Sequence, residues 1–322
     1  MTGTIVVTGA SGFVGGALCR AAAAAGYDVL ALGRRSMVDQ ASVGGATYVS
    51  WDLADSSAPP SLPARFASPH AVIHCAGLAT DWARPEEFHY GNVLTTKGVL
   101  TAFPDAARFV HISTASVYDP EKPTVMAQES EADGVQHPDA YGRSKAMAEG
   151  CVLKARSDAV ILRPHAVYGP GDTTLLPRLL QAVRHTPRGL RLFAVGDGQQ
   201  RLSLTSIDNL TKACLLAADG QASGIFNITD SEPVVLDDVL REVLAARGIP
   251  ATPAYLPRAV ALSLATAAEF VARATPSARP PRLTTYAVRH LAYERTLDLT
   301  AARTQLGYQP EPTDLGPALR AS

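Results

Sequence analysis

Short, almost wholly apolar runs recur through the first half of the chain, separated by longer stretches with apolar residues at helical spacing. The runs at 5–8, 29–32, 48–51, 71–74, 109–113 and 160–163 have the length and bounding turn residues of buried strands. The stretches 13–25, 86–103 and 141–155 read as helices between several of them. Strand and helix in alternation predict an α/β fold: a doubly wound parallel sheet with right-handed crossovers covering both faces. After Pro170 the texture changes. Pro177, Pro187, Pro253 and Pro257 cut the chain into short helices and loops, which predicts a smaller, mostly helical C-terminal domain. A strand-like run at 224–228 predicts a return to the main sheet before the helical tail.

A chain of 322 residues, 47% hydrophobic and 18% charged, can bury a full core. Its 29 basic and 30 acidic residues are spread along the whole length for a net charge of −1, without the basic stripe that nucleic-acid binding requires. Nucleic acid is therefore not an expected partner. Cys19, Cys75, Cys151 and Cys214 form no CxxC pair and have no histidine at metal-ligand spacing. No metal site and no disulfide framework are expected, and four scattered thiols fit a reducing cytoplasm. The N-terminus runs into the first strand without a signal-peptide pattern. The apolar stretch 259–272 is too short to span a bilayer and contains Glu269. No integral membrane segment is expected; the stretch reads as a core or lid helix, with peripheral membrane contact as the alternative.

The segment Thr8-Gly9-Ala10-Ser11-Gly12-Phe13-Val14-Gly15 joins the first strand to the first helix. Backbone without a Cβ can turn tightly there and approach a pyrophosphate, while exposed N–H groups and the helix dipole attract the phosphates. The spacing is GxxGxxG, a variant of the dinucleotide fingerprint, and taken alone it would also suit an ordinary strand-to-helix turn. Its place at the head of the first βα unit predicts a Rossmann-type dinucleotide-binding domain over 1–169, with 200–230 returning to it. Residues 170–199 and 231–322 would then form the substrate domain. The second strand ends in Gly33-Arg34-Arg35, where an acidic residue would bind the adenosine ribose of NAD(H). Arginine there can pair with a 2′-phosphate and favours NADP(H) over NAD(H). Arg34 and Arg35 could instead be a solvated turn, and Asp39 could still reach the ribose if the loop folds back.

The run from His111 to Tyr118 ends a buried strand in hydroxyls, among them Thr114, and Tyr141 and Lys145 follow on a helix. Residues four apart share a helix face, so the Lys145 ammonium can approach both Tyr141 and the cofactor ribose. A nearby cation would lower the phenol from its ordinary value of about 10 toward working pH. Tyr141 would exchange a proton with a substrate hydroxyl or carbonyl while hydride moves to or from the nicotinamide, and Thr114 would hold the substrate oxygen. A tyrosine and a lysine at this spacing also occur on solvated helix faces; the glycine turn and the hydroxyl-rich strand end give the pair its meaning.

With these motifs in order, the chain resembles the extended short-chain dehydrogenase/reductase family, also described as the NAD-dependent epimerase/dehydratase family. The resemblance covers nearly the whole length. It implies catalytic roles for Thr114, Tyr141 and Lys145. For the cofactor it implies Gly9, Ser11, Gly12, Phe13, Val14 and Gly15 at the nucleotide turn, and Asp52 and Leu53 at the adenine. Cys75, Ala76 and Gly77 belong to the fourth-strand motif, and Asn92 is the helix asparagine. Ile112, Pro164, His165 and Val167, with Tyr141 and Lys145, lie beside the nicotinamide. His165, Tyr168 and Arg201 join Thr114 as substrate candidates, although a structural histidine in a turn is the more ordinary reading of His165. The later segments at 196–198, 206–210, 226–229 and 306–310 resemble the branch of 3β-hydroxysteroid dehydrogenases and β-ketoacid reductases. That branch implies interconversion of a secondary alcohol and a ketone, in the direction of ketone reduction, on an apolar small-molecule substrate. The helix at 259–272 would wall the pocket or simply pack in the core.

Sugar-nucleotide dehydratases of this family carry Asp-Glu after the catalytic threonine, whereas Ala115-Ser116 stands here, which disfavours elimination of water. Arg201 sits where many epimerases hold a diphosphate, so a nucleotide-sugar epimerase with bound NAD is the alternative. A nonenzymatic dinucleotide sensor is the third reading, disfavoured because both Tyr141 and Lys145 are present. The resemblance also implies a homodimer.

Overall fold

The computed structural model describes residues 3–55, 60–132, 137–275 and 281–320. The strands are β1 (Thr4–Thr8), β2 (Asp28–Gly33), β3 (Thr47–Ser50), β4 (Ala71–His74), β5 (Arg108–Ile112), β6 (Thr124–Ala127), β7 (Val160–Pro164) and β8 (Val167–Tyr168). They continue with β9 (Val183–Thr186), β10 (Gly189–Val195), β11 (Arg201–Leu202), β12 (Thr205–Ser206), β13 (Gly224–Ile228), β14 (Val234–Val235), β15 (Thr252–Leu256) and β16 (Arg295–Leu297). The helices that shape the site are α1 (Phe13–Ala24), α2 (Pro85–Phe88), α3 (Thr95–Ala102), α4 (Ala140–Ala155), α5 (Leu175–Gln181), α6 (Ile207–Asp219), α7 (Leu236–Ala246), α8 (Arg258–Ala274) and α9 (Thr285–Leu291).

Seven parallel strands lie side by side in the order β13-β7-β5-β4-β1-β2-β3. Their runs are continuously apolar because helices cover both faces. Alternate side chains serve the two layers. Ile5, Val7, Ala31, Ile73 and Val110 face Leu18 and Ala22 of α1 and Leu210 and Ala213 of α6. Val6, Leu30, Val72, Phe109 and Ile161 face Val99 and Phe103 on one side helix and Val152 of α4. Strand order reverses between β1 and β4, so the carboxyl ends of these two strands border the crevice where ligands bind in such sheets.

All seven main strands fall where the apolar runs placed them, including the return at 224–228. The helix expected over 86–103 differs in one respect: a π-helical turn, His89–Leu94, lies between α2 and α3. Such turns recur at functional sites, and this one carries Asn92. A Cβ on Gly91 would stand 2.8 Å from the Leu78 Cβ, so glycine lets the loop after β4 press against the turn.

Beyond Pro170 the chain adds strands that the sequence pattern did not reveal. They form a sheet in the order β15-β10-β9, another in the order β14-β11-β16-β6 that also recruits β6, and the pair β12-β8, in which β8 comes from before Pro170. Apart from β10 these strands are two to five residues long, too short for alternation to be read against the neighbouring turns. The helix at 259–272 appears as α8. Ala261, Ala265 and Glu269 are its buried edge, while Val260, Leu264, Phe270 and Val271 are exposed. Among the described residues no helix is long and apolar enough to cross a membrane.

Candidate active site

The first part of the site is a cradle of backbone. Gly9 turns the chain after β1 with a φ of +70°, and a Cβ there would stand 2.8 Å from the Ala76 nitrogen. A Cβ on Gly15 would stand 2.3 Å from the Gly9 carbonyl oxygen, so both positions require glycine. Helix α1 starts at Gly12 with no side-chain cap, which leaves its first-turn N–H groups for an anion. These features fit the pyrophosphate of a dinucleotide, with Ser11, Phe13 and Val14 in the same turn.

At the rim of the cradle, a Cβ on Gly33 would stand 2.8 Å from the Tyr48 hydroxyl and 3.0 Å from Ser11 Oγ. A side chain at Gly33 would therefore strike two hydroxyls. Arg34 and Arg35 are exposed, and among the described residues neither is held in an ion pair. Asp39 accepts from the Ala41 nitrogen at 3.2 Å and caps a short 3-10 helix, so its carboxylate has a local partner. Asp52 accepts from the Ala54 nitrogen at 3.1 Å and from the Tyr90 hydroxyl at 3.3 Å, while Leu53 is buried beside them.

The end of β4 forms the opposite wall. The Ala76 nitrogen donates to Thr8 Oγ1 at 3.1 Å, which joins Cys75, Ala76 and Gly77 to the glycine turn. Asn92 Oδ1 accepts from the Leu78 nitrogen at 2.7 Å, and its Nδ2 donates to Ser144 Oγ at 2.8 Å. One asparagine thus ties this loop to α4. Below it, His74 is fully buried between Thr8 and Thr96, and burial lowers its pKa to about 3, so the ring is neutral. His111 packs 5.2 Å from it between ring centroids, with both ring nitrogens unpartnered and its pKa pushed well down by burial.

Helix α4 brings Tyr141 and Lys145 to the carboxyl end of β5. The Lys145 ammonium donates to the Ile112 carbonyl at 2.6 Å, and burial lowers its pKa to about 8 against the opposing pull of Glu149. One turn on, Glu149 forms a buried pair with Arg163 at 2.9 and 2.7 Å and accepts from the Ser113 hydroxyl at 2.5 Å. Tyr141 differs from the sequence expectation. Burial raises its pKa above the ordinary phenol value, opposed by the hydrogen bond with Thr114, and one of the Lys145 ammonium donors goes to the Ile112 carbonyl. Desolvation outweighs that bond with Thr114, so Tyr141 stands as phenol. Thr114 also contacts Ser116, its Oγ1 lying 3.2 Å from Ser116 Oγ.

The remaining candidates separate. Pro164 ends β7, and Val167 lies in β8 just beyond it. His165 Nδ1 lies 2.5 Å from the Ser203 carbonyl, its backbone nitrogen donates to Thr205 Oγ1 at 3.1 Å, and burial lowers its pKa to about 4. It is a neutral ring anchored to the strand-like segment beside β12. Tyr168 corrects the substrate expectation: it is 1% exposed in the core of the C-terminal half, donating to Asp230 at 2.8 Å and accepting from the Asp314 nitrogen at 3.0 Å. Both hydrogen-bonding roles of its hydroxyl are spent. Arg201 stands exposed on β11, and no hydrogen bond or ion pair joins it to the Tyr141 cluster. The structure adds residues that the sequence did not single out. Phe88 and Tyr286 flank the Tyr141 ring, each with its centroid 5.9 Å away, and the Tyr286 hydroxyl lies 2.8 Å from Ser116 Oγ.

The family model for the NAD dependent epimerase/dehydratase family matches residues 5–229, the span that contains the cradle, Thr114, Tyr141 and Lys145. The chain belongs to this family. Among its relatives, a "2-alkyl-3-oxoalkanoate reductase" of Stenotrophomonas maltophilia is 31% identical over 95% of this chain and 94% of that protein. A "4-hydroxy-2-methyl-3-oxo-4-farnesyl-3,4-dihydroquinoline-1-oxide ketoreductase" of Stigmatella aurantiaca is 34% identical over 94% of this chain and 90% of that protein. The fold is similar to that of a UDP-glucuronic acid 4-epimerase from Bacillus cereus solved with NAD, with a TM-score of 0.73 and 21% identity over 99% of this chain and 97% of that one. This family member is a nicotinamide-dinucleotide-dependent oxidoreductase.

Proposed function

We propose that the protein reduces a ketone on an apolar small molecule to a secondary alcohol with NADPH, Tyr141 donating the proton. The observation that carries this reading is Tyr141 held as a half-buried phenol between Phe88 and Tyr286 with Thr114 as its partner, on the helix whose Ser144 is tied through Asn92 to the loop after β4. A bound dihydronicotinamide would supply hydride, two electrons and a proton's mass, to the carbonyl carbon. Thr114 would hold the carbonyl oxygen, Tyr141 would pass its proton to that oxygen, and water would restore the phenol. Lys145, kept cationic by neutral pH and fixed to the Ile112 carbonyl, favours the transient phenolate electrostatically. The two relatives of similar length named as reductases of 3-oxo compounds support the direction.

The preference for NADPH rests on Gly33 and its surroundings. Two hydroxyls crowd the Gly33 position, the strand end carries arginine and no carboxylate that would select NADH, and Arg34 and Arg35 are exposed and, among the described residues, free of ion pairs. Steady-state kinetics with ketones, sterols and nucleotide sugars, each with both cofactors, test the reading. Stoichiometric NADPH oxidation with a ketone is expected; nucleotide-sugar isomerisation without net cofactor oxidation would replace it with the epimerase reading. We also propose a homodimer through the outer faces of α3 and α4, the latter with Met147 and Leu153 each 40% exposed. Light scattering on the purified chain checks it, and a monomer at micromolar concentration contradicts it.

A further inference from the structure

We infer that Tyr286 and Ser116 form a second hydrogen-bonding station that takes the other oxygen of a 3-oxo acyl substrate. This inference rests on the ketone-reductase reading. The Tyr286 hydroxyl and Ser116 Oγ lie 2.8 Å apart, and Ser116 Oγ lies 3.2 Å from Thr114 Oγ1, so three hydroxyls form a chain that begins at Thr114, the partner of the proton donor. Substrate oxygens separated by a short carbon chain match stations one hydrogen-bond length apart. A lone carbonyl would use Thr114 and Tyr141 and leave the outer pair idle.

The position of Tyr286 is built from several directions. Helix α9 begins at Thr284, whose side chain caps the Ala287 nitrogen and donates to Asp81 at 2.5 Å; Asp81 also pairs with Arg178 of α5. The buried carboxylate of Glu269 on α8 accepts from the Thr285 nitrogen at 2.6 Å and its hydroxyl at 2.9 Å. At the other end, Arg289 and His290 each lie 3.2 Å from Asp139, the residue at which α4 starts. The helix bearing Tyr286 is therefore strapped both to the loop after β4 and to the helix bearing Tyr141. The ring meets Tyr141 edge-on, with an interplanar angle of 76°, which aims the hydroxyl at Ser116. Burial, with Tyr141, Asp139 and Asp81 nearby, holds Tyr286 as a phenol. It can thus donate to an ester or acyl oxygen. Ser116 is the matching hydroxyl, at the position where dehydratases of the family carry glutamate.

The test compares a 3-oxo ester with the chain-matched monoketone, using NADPH and the full chain. Tyr286→Phe keeps the ring packing and removes the hydroxyl; Ser116→Ala removes the other. For either variant KM for the 3-oxo ester should rise about tenfold, the order of one hydrogen bond, with the monoketone changed less than about twofold and NADPH affinity unchanged. Ser116→Thr should restore most of the loss. Equal effects on both substrates, or none, overturn the inference while leaving the reductase reading standing. If the wild-type protein reduces neither compound, that reading falls and this inference with it.

Discussion

The glycine cradle and the α9 strap are held by different physics. The cradle is set by backbone: Gly9 and Gly33 sit at strand ends, Gly15 lies in the first turn of α1, and the parallel sheet fixes where those ends lie. The strap is set by side chains that meet across long stretches of sequence, Ser116 with Tyr286, Asp139 with His290, Asp81 with Thr284. The difference assigns tasks. A rigid sheet can position a cofactor common to many relatives, while a strap of a few replaceable contacts can choose the substrate.

The largest effect should fall where the two regions meet. Tyr141→Phe removes the proton donor and should lower kcat by roughly 10²–10⁴-fold with cofactor affinity unchanged, measured by turnover and by dinucleotide titration. Near-normal turnover would show that neither region serves this phenol. Next, the sheet side should be the more costly to damage. Arg163→Met leaves Glu149 buried without its partner and should cost about 3–5 kcal/mol in urea unfolding. Near the strap, Arg273 is largely exposed where it pairs with Glu269, whose carboxylate keeps its bonds from Thr285, so Arg273→Ala should cost less than about 1 kcal/mol. Similar losses from both would erase the distinction.

A smaller effect tests the cradle rim. Replacing Arg34 and Arg35 together with alanine should raise KM for NADPH about tenfold or more and leave KM for NADH unchanged. Equal changes for both cofactors contradict the assignment. The smallest is a pH effect. Burial puts the Lys145 ammonium near a pKa of about 8, below its ordinary value, while Tyr141 is pushed upward. The lysine charge is thus lost as pH rises through about 8 while the phenol persists. Ketone reduction, read as kcat/KM, should be level from pH 6 to 7.5 and decline above 8. A level profile to pH 9.5 would separate Lys145 from the reaction.

The same contrast explains what the sequence made legible. Strand-length apolar runs and the glycines between strand and helix are local signals, so β1, β4 and β5 and the cradle could be read directly. Tyr141 and Lys145 were visible because one helix carries both. The state of Tyr141 was not, since it depends on burial by Phe88 and Tyr286 and on Lys145 reaching the Ile112 carbonyl. Tyr168 was misread for a related reason: the resemblance sets its sequence neighbours beside the nicotinamide, yet its own side chain turns into the core toward Asp230. Tyr286 gave no local signal. Its meaning comes from a partner 170 residues away, and only the Thr284 cap hints that a helix begins there.

The most direct test of the central claim follows the hydride itself. NADPH carrying deuterium at the transferable position is incubated with the enzyme and a 3-oxo ester, and the product is analysed by mass spectrometry and NMR. One deuterium on the new carbinol carbon, with one NADP⁺ formed per alcohol, is the predicted result. A product without the label, or substrate rearranged while the dinucleotide is recovered reduced, would contradict it.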